Sequence, residues 1–354
     1  MKVVVAMSGG VDSSVAAALL KEEGYQVIGV TMQIWPSDKL AYEGDAFGGC
    51  CGLRAIYDAK KVARKLGIPH YVMNLRDIFA QKVIAQFCRE YSLGRTPNPC
   101  IRCNQYIKFD ALLERAKGLG ADCVATGHYA RIEKDGAKER YLLKKGIDQR
   151  KDQSYVLYTI TQEQLEHTLL PLGNFTKQRV REIAKELGLP VAAKVESQEI
   201  CFIPDNDYPR FLKEYIPEAV KPGPILNKEG AILGKHQGIL FYTIGQRKGL
   251  GISAKEPLYV IAIESERGAI VVGGKQEVYG NELMASELNW ISIAQPNQPM
   301  TVKAKIRYLH HEAEATITPL DEEKLYVKFK EPQMAITPGQ AIVFYDGDTV
   351  VGGG

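Results

Sequence analysis

The residues best suited to chemistry form the first polar stretch of the chain, Ser8-Gly9-Gly10-Val11-Asp12-Ser13. An apolar, β-branched run precedes them and an alanine- and leucine-rich run follows, which predicts a strand before the turn and a helix after it. Such a turn directs backbone N–H groups to one point, where the helix dipole adds positive potential. We call residues 8–13 the glycine loop and predict that it binds a polyphosphate. It lacks the spacing and the lysine of a Walker A motif.

Cysteines in polar segments form the second chemical group. Cys100 and Cys103 are spaced as C-x-x-C in a proline-containing stretch with basic neighbours, and Cys201 follows Ser-Gln-Glu-Ile. An electropositive setting lowers the pKa of a thiol and favours the reactive thiolate. A zinc site would require a second ligand pair of suitable spacing, which does not follow in the sequence. From these residues alone, a redox pair, half of a metal site and buried apolar side chains remain alternatives.

The elements that position these residues alternate between strand and helix. This order predicts an α/β fold with a doubly wound parallel sheet, whose ligand lies at the carboxyl ends of the strands. Ser8, Met32, Gly127 and His128 fall at such ends. Strands are predicted at residues 27–32, 70–75 and 123–128, helices at 53–67, 78–91, 106–119 and 176–190, and a loop at 94–104.

The pattern changes after residue 204, where short strands recur at regular spacing. They are expected at residues 222–226, 230–234, 300–308, 314–318, 325–329 and 341–345. Such spacing is typical of a small barrel or sandwich. We therefore expect a nucleotide-binding domain at 1–205, a small, mostly β central domain at 206–280 and a C-terminal β-barrel at 281–354.

Composition limits the class of protein. The 354 residues contain 45% hydrophobic and 25% charged side chains, as is usual for a globular protein. A net charge of +3 gives no general electrostatic case for nucleic acid, so any such binding must use a local basic surface. Seven cysteines in this length do not indicate a disulfide scaffold. No signal segment or membrane span is recognised, and we expect a cytoplasmic protein without a membrane partner.

Together, these motifs resemble those of the tRNA-specific 2-thiouridylases of the MnmA type, in the PP-loop ATP pyrophosphatase superfamily. The resemblance runs through the whole chain. The segments that carry it are residues 6–13, 96–104 with 107–109, 125–130, 151–155, 197–202 and 242–251. It implies an enzyme that transfers sulfur to C2 of the wobble uridine in tRNAs for lysine, glutamate and glutamine.

The resemblance implies that ATP, with Mg²⁺, first adenylates the C2 oxygen and that pyrophosphate and then AMP leave. A uridine carbonyl is a poor electrophile, and adenylation converts its oxygen into a leaving group. The implied ATP-binding residues are Ala6, Met7, Ser8, Gly9, Gly10, Val11, Asp12, Ser13, Met32 and Gly127.

The resemblance also implies that Cys103 and Cys201 are catalytic. A relay protein would load Cys201 with a persulfide, and Cys103 would attack Cys201 to release the sulfur, which leaves a transient disulfide between the two. Many family members have aspartate where this chain has Cys100. With Cys100 the chain has three thiols in these motifs, and the alternative is a [4Fe-4S] cluster on Cys100, Cys103 and Cys201.

For tRNA, the resemblance implies recognition of a flipped base. We expect a monomeric protein. The implied tRNA-binding residues are Asn98, Pro99, Cys100, His128, Lys151, Asp152, Gln153, Arg307, Tyr308 and Gln340.

Two other functions are alternatives. A PP-loop ligase or amidotransferase would adenylate a small substrate and use ammonia, but it would have no need of paired loop cysteines. A non-catalytic RNA-binding protein could retain a relic nucleotide fold, but the complete glycine loop and both cysteines oppose this.

Overall fold

The structure is a computed structural model that describes residues 1–34, 53–137, 139–195, 200–203 and 205–354. The predicted segment at residues 197–199 lies outside the described residues. None of the described helices is both long enough and apolar enough to span a membrane.

Strands and helices are numbered here in chain order. The strands are β1 (Lys2–Ala6), β2 (Gln26–Gln33), β3 (His70–Asn74), β4 (Cys123–Ala125), β5 (Ala130–Asp135), β6 (Arg140–Lys145), β7 (Thr168–Leu169), β8 (Gly223–Leu226), β9 (Ile232–His236), β10 (Tyr259–Glu264), β11 (Ala269–Gly273), β12 (Tyr279–Ala285), β13 (Asn289–Trp290), β14 (Met300–Lys305), β15 (Ala313–Pro319), β16 (Leu325–Met334), β17 (Val343–Asp346) and β18 (Thr349–Gly353). The α-helices are α1 (Val11–Glu22), α2 (Leu53–Leu66), α3 (Arg76–Phe79), α4 (Ala85–Ser92), α5 (Pro99–Arg102), α6 (Leu112–Gly118), α7 (Gln162–Glu166), α8 (Lys177–Glu186) and α9 (Tyr208–Tyr215).

The first sheet is parallel, in the order β3-β2-β1-β4-β7. Its central strand β1 is buried on both sides: Val4 packs into one hydrophobic cluster, and Val3 and Val5 pack into another. Since alternate side chains of a strand point to opposite faces, a continuous apolar run suits a sheet covered by helices on both faces. This arrangement confirms the predicted doubly wound α/β fold.

The structure corrects the loop predicted at residues 94–104. Helix α5 begins at Pro99 and continues directly through a π-helical segment, Cys103–Ala111, into α6. Asn98 caps α5 by accepting a hydrogen bond from the Cys100 backbone N–H at 3.1 Å, and proline is favourable in the first turn of a helix. The two prolines therefore start a helix, and Cys100 and Cys103 lie on helical backbone.

A second π-helical segment divides the helix predicted at 78–91. It spans Ala80–Ile84, between α3 and α4. The buried face of this region forms a cluster with Phe79, Phe87 and the distant Phe202. The ring centroids of Phe87 and Phe202 are 5.3 Å apart, so the segment that contains Cys201 is anchored against α4.

The later strands form two further sheets. The smaller one has the order β10-β11-β8-β9, and the larger one is β12-β16-β15-β14-β17-β18-β6-β5, with β13 also paired to β18. The β5–β6 hairpin belongs to the chain before residue 205, yet it joins the C-terminal sheet through the pair Thr349 and Lys144. The hairpin therefore connects the nucleotide-binding region directly to the barrel.

Candidate active site

The glycine loop lies between β1 and α1 at the carboxyl end of the parallel sheet. Gly9 has φ +67°, and a Cβ placed there would lie 2.3 Å from the Ala55 carbonyl oxygen, so glycine is required by both conformation and space. Gly10 precedes α1, and no side chain caps that N-terminus. The first turn of a helix has N–H groups without intrahelical acceptors, which suits an anion.

Two hydroxyl groups lie side by side at this loop. The Ser8 backbone N–H donates to Ser13 Oγ at 3.2 Å, and the Ser8 and Ser13 Oγ atoms are 3.3 Å apart. Ser14 Oγ donates to the Gly10 carbonyl at 2.7 Å and holds the turn closed. The loop thus combines backbone N–H groups with hydroxyl donors, as polyphosphate binding requires.

The carboxylate of Asp12 is held from two sides. Lys177 Nζ donates to its two oxygens at 2.6 Å and 2.8 Å, and the Tyr129 hydroxyl donates at 2.8 Å. Gln153 fixes Tyr129 in turn: its side-chain oxygen accepts from the Tyr129 N–H at 3.0 Å, and its backbone N–H donates to the Tyr129 carbonyl at 2.9 Å. Asp12, predicted to bind ATP, and Gln153, predicted to bind tRNA, are therefore linked through Tyr129.

Gly127 lies directly against the glycine loop. A Cβ at this position would be 2.7 Å from the Ser13 backbone nitrogen and 2.8 Å from the Asp12 carbonyl carbon. Only glycine allows this approach without displacing the loop. This close approach explains why a glycine lies just after β4.

His128 is buried, with 7% of its surface exposed. Its Nδ1 lies 2.7 Å from Thr126 Oγ1, and its Nε2 lies 3.3 Å from Lys108 Nζ. Burial and then the neighbouring Lys108 charge hold the pKa of His128 well below its ordinary value of 6.5. The imidazole is neutral, and we assign its proton to Nδ1 because an ammonium can only donate to Nε2.

Cys103 and Cys201 pack against the same hydrophobic cluster, around α4 and Phe202. The two residues are distant in sequence, and the structure brings their segments together. Cys100 is exposed on α5. Burial, then the charge of Asp152, raises the pKa of Tyr308 to about 12.

The residues described do not fit an iron–sulfur cluster. Three thiolates would have to converge, and among the described residues no three His, Cys, Asp or Glu side chains are grouped closely enough to hold a metal. Cys103 and Cys201 pack against one hydrophobic cluster to which Cys100, exposed on α5, does not belong. We derive no step through such a cluster.

The predicted tRNA-binding residues occupy two regions. Asn98, Pro99 and Gln340 line a cavity of about 530 Å³ between α4, α5 and the barrel, and Gln340 Nε2 donates to the Thr96 carbonyl at 2.6 Å. Lys151, Asp152 and Gln153 follow β6, and Arg307 and Tyr308 follow β14 in the barrel. Of the other two predicted residues, His128 is buried and Cys100 lies on α5.

Two of the barrel-side residues have structural contacts of their own. The Asp152 carboxylate accepts from the Gly146 and Ser154 N–H groups, both at 3.1 Å, and from the Ser154 hydroxyl at 2.8 Å. Arg307 donates to the Met334 carbonyl at 3.1 Å. These contacts fix the shape of the surface beside Tyr308.

Sequence reasoning missed Lys177 and Tyr129, and it noted Lys108 only as a basic neighbour of the cysteine pair. Tyr129 and Lys108 lie inside the motifs at residues 125–130 and 107–109, so their residue types were visible but their partners were not. Lys177 had a weaker signal: it is a basic residue in the first turn of α8, where acidic residues are favoured.

Comparison with known families agrees with this architecture. Family models described as tRNA methyl transferase HUP domain, tRNA methyl transferase PRC-barrel domain and aminomethyltransferase beta-barrel domain match residues 1–205, 209–274 and 280–354. A parallel sheet with a glycine loop at its first βα turn, followed by two β domains, defines a nucleotide-binding enzyme of the HUP class.

Full-length relatives identify the family within this class. The tRNA-specific 2-thiouridylase MnmA of Acetivibrio thermocellus is 58% identical over 100% of this chain and 98% of its own length. That of Heliobacterium modesticaldum is 60% identical over 99% of this chain and 91% of its own length, and that of Clostridium acetobutylicum is 55% identical over 100% and 98%. The chain belongs to the tRNA-specific 2-thiouridylase family.

Proposed function

We propose that this enzyme 2-thiolates the wobble uridine of tRNAs for lysine, glutamate and glutamine at the expense of ATP. The observation that supports this best is the shared packing of Cys103 and Cys201 on one cluster, in a domain that also contains the glycine loop. A loop that binds polyphosphate provides for activation of a carbonyl, and two thiols that pack on one cluster provide for sulfur delivery.

In the activation step, the C2 oxygen of uridine attacks the α-phosphorus of ATP. The bond from the α-phosphorus to the bridging oxygen breaks, and pyrophosphate leaves. The glycine-loop N–H groups with Ser8 and Ser13 hold the departing pyrophosphate. Mg²⁺ commonly uses one or two carboxylates together with substrate phosphates, and Asp12 is the carboxylate of this loop. Bound there, the ion would neutralise phosphate charge.

In the transfer step, the terminal sulfur of a Cys201 persulfide attacks C2, and AMP leaves with the former carbonyl oxygen. The Cys103 thiolate then attacks Cys201 Sγ, which breaks the persulfide S–S bond and leaves sulfur on C2. The products are 2-thiouridine and a Cys103–Cys201 disulfide, and an external dithiol supplies two electrons to regenerate both thiols. A protein persulfide supplies the next sulfur. This chemistry suits the reducing cytoplasm.

In this proposal, tRNA lies over the carboxyl edge of the parallel sheet and the two β domains, which we place at 206–280 and 281–354. Asn98, Pro99 and Cys100 border the flipped uridine. Lys151, Arg307, Tyr308 and Gln340 contact the surrounding RNA, whereas Asp152 and Gln153 act by shaping the surface. We propose that a monomer suffices.

Reconstitution tests the proposed function. Purified enzyme, tRNA, ATP and a persulfide donor should yield 2-thiouridine, with one AMP and one pyrophosphate for each modified base, measured by mass spectrometry of nucleosides and by nucleotide chromatography. Formation of an amidated small product with ammonia would instead identify a ligase. RNA binding without pyrophosphate release would identify a relic nucleotide fold, and transfer of a methyl group to the RNA would contradict sulfur chemistry.

A further inference from the structure

Lys108 links the π-helical segment that begins at Cys103 to His128, the residue after Gly127. It belongs to the same π-helical segment as Cys103, and in a π-helix residues i and i+5 are joined across one turn. Lys108 and Cys103 therefore lie one turn apart on the same side of this segment. Segments of π-helix frequently mark functional sites because they redirect side chains.

The ammonium of Lys108 has a neutral partner. Among the described residues its polar contact is His128 Nε2 at 3.3 Å, and no carboxylate there lies within ion-pair distance of it. Lys108 is half-buried, and a partly desolvated cation without a counter-ion is unfavourable unless an anion binds. Within the part of the chain that the structure describes, the imidazole fixes the position of the ammonium and no carboxylate neutralises its charge.

The position of this charge indicates which anion it would meet. His128 directly follows Gly127, which contacts the glycine loop at Ser13, and β4 is paired with β1. His128 thus holds Lys108 towards the glycine loop, on the same helical segment as Cys103. A phosphate between the departing pyrophosphate and the reacting base would occupy this side.

We propose that Lys108 binds the α-phosphoryl group of ATP and of the adenylated base, and that His128 is the positioning residue that holds the ammonium there. This inference rests on the proposed function and adds a catalytic residue to it. During adenylation, negative charge increases on the non-bridging α-phosphoryl oxygens while the bond to pyrophosphate breaks. A fixed ammonium stabilises that charge without forming a covalent bond.

Binding of nucleotide fragments tests this assignment. Wild type, Lys108→Met and Lys108→Arg are titrated calorimetrically with adenosine, AMP and pyrophosphate. Loss of a charge-assisted contact predicts that Lys108→Met weakens AMP binding roughly 10- to 100-fold. Binding of adenosine and pyrophosphate stays near wild type, and Lys108→Arg recovers most of the AMP affinity. Lys117→Met, which removes an exposed ammonium paired with Glu163, serves as the matched control and binds all three ligands normally.

The role of His128 is tested separately. His128→Gln retains an acceptor for Lys108 and keeps most of the AMP affinity, whereas His128→Phe removes it and loses affinity for AMP but not for pyrophosphate. A merely structural histidine would affect all ligands equally, and melting temperatures identify variants that fail to fold.

The outcomes separate this inference from the proposed function. Unchanged AMP binding by a folded Lys108→Met, or equal losses for all three ligands, overturns the inference even if the wild type thiolates tRNA. The expected AMP-specific loss in an enzyme that forms no 2-thiouridine supports the Lys108 assignment and overturns the proposed thiolation. A wild type that binds no AMP overturns the inference, and 2-thiouridine formation then decides the proposed function on its own.

Discussion

Lys177 Nζ lies 2.6 Å and 2.8 Å from the two carboxylate oxygens of Asp12, so the start of α8 is joined to the glycine loop. The lysine side chain is 10% exposed and the aspartate side chain 31% exposed. An ion pair with this much shielding, supported by the Tyr129 hydroxyl, fixes the loop more firmly than a surface pair would. The phosphate cradle is therefore supported from outside its own motif.

We expect Lys177→Met to lower both stability and ATP affinity. The variant leaves Asp12 with one donor fewer, and the free energy of unfolding should fall by roughly 2 kcal/mol, less than for a fully buried pair. Urea denaturation and calorimetric titration with ATP measure the two effects. Arg179→Met on the same helix breaks only exposed pairs with Glu182 and Glu186, and should cost less than about 1 kcal/mol. Equal losses in both variants would contradict the supporting role of Lys177.

We expect Gly127→Ala to reduce ATP affinity by displacing the glycine loop. The added methyl group would lie 2.7 Å from the Ser13 nitrogen, and overpacking of this kind costs roughly 1–3 kcal/mol. The measurements are ATP titration and thermal melting. Gly118→Ala is the control, since a Cβ at that helical position meets nothing within 4 Å. Wild-type ATP affinity in folded Gly127→Ala would show that the close approach is unimportant.

We expect Cys103→Ser and Cys201→Ser each to abolish 2-thiouridine formation. A hydroxyl cannot hold a transferable sulfur or form the disulfide, while its similar size should keep tRNA affinity within a few-fold. Nucleoside mass spectrometry and tRNA binding are measured on both variants. Cys88→Ala, a change at a buried cysteine of the same cluster, should retain activity. Thiolation by either serine variant would remove that residue from the mechanism, and loss of tRNA binding would indicate a structural role.

We expect His128 to make stability depend on pH below about 6.5. Its pKa is lowered in the folded protein, so the unfolded chain binds the proton more readily and stability falls as the pH decreases from 6.5 towards the folded pKa. Above 6.5 both states are neutral and this contribution is constant. The free energy of unfolding is measured by urea denaturation at several values between pH 5 and 7.5. It should change with pH more steeply in the wild type than in His128→Asn, by up to about 1.4 kcal/mol per pH unit. Parallel slopes would contradict the buried neutral state.

The sequence was sufficient to predict β1, the glycine loop and the parallel sheet, because an apolar run on both faces and a glycine turn are local signals. It also located Gly127 correctly at a strand end. It did not predict the helix that begins at Pro99, since proline and polar residues suit both loops and helix N-termini. The π-helical backbone of residues 103–111 has no simple periodic signature.

Long-range partners were the second limit of prediction. Nothing in the spacing of Asp12, Tyr129 and Lys177 shows that they meet. Likewise, the common cluster of Cys103 and Cys201 depends on aromatic packing between segments far apart in the chain. Family resemblance indicated roles for Asp12, Cys103 and Cys201 but none for Tyr129 or Lys177, whose contacts with Asp12 only the structure shows.

A single-turnover experiment tests the central claim that Cys103 and Cys201 deliver sulfur to an activated base. Enzyme carrying persulfide is mixed with tRNA and ATP without reductant, quenched by thiol alkylation, and its peptides and nucleosides are analysed by mass spectrometry. We predict a Cys103–Cys201 disulfide that accumulates in equal amount to 2-thiouridine and AMP. Formation of 2-thiouridine without this disulfide, with both cysteines recovered as alkylated thiols after the quench, would contradict the account.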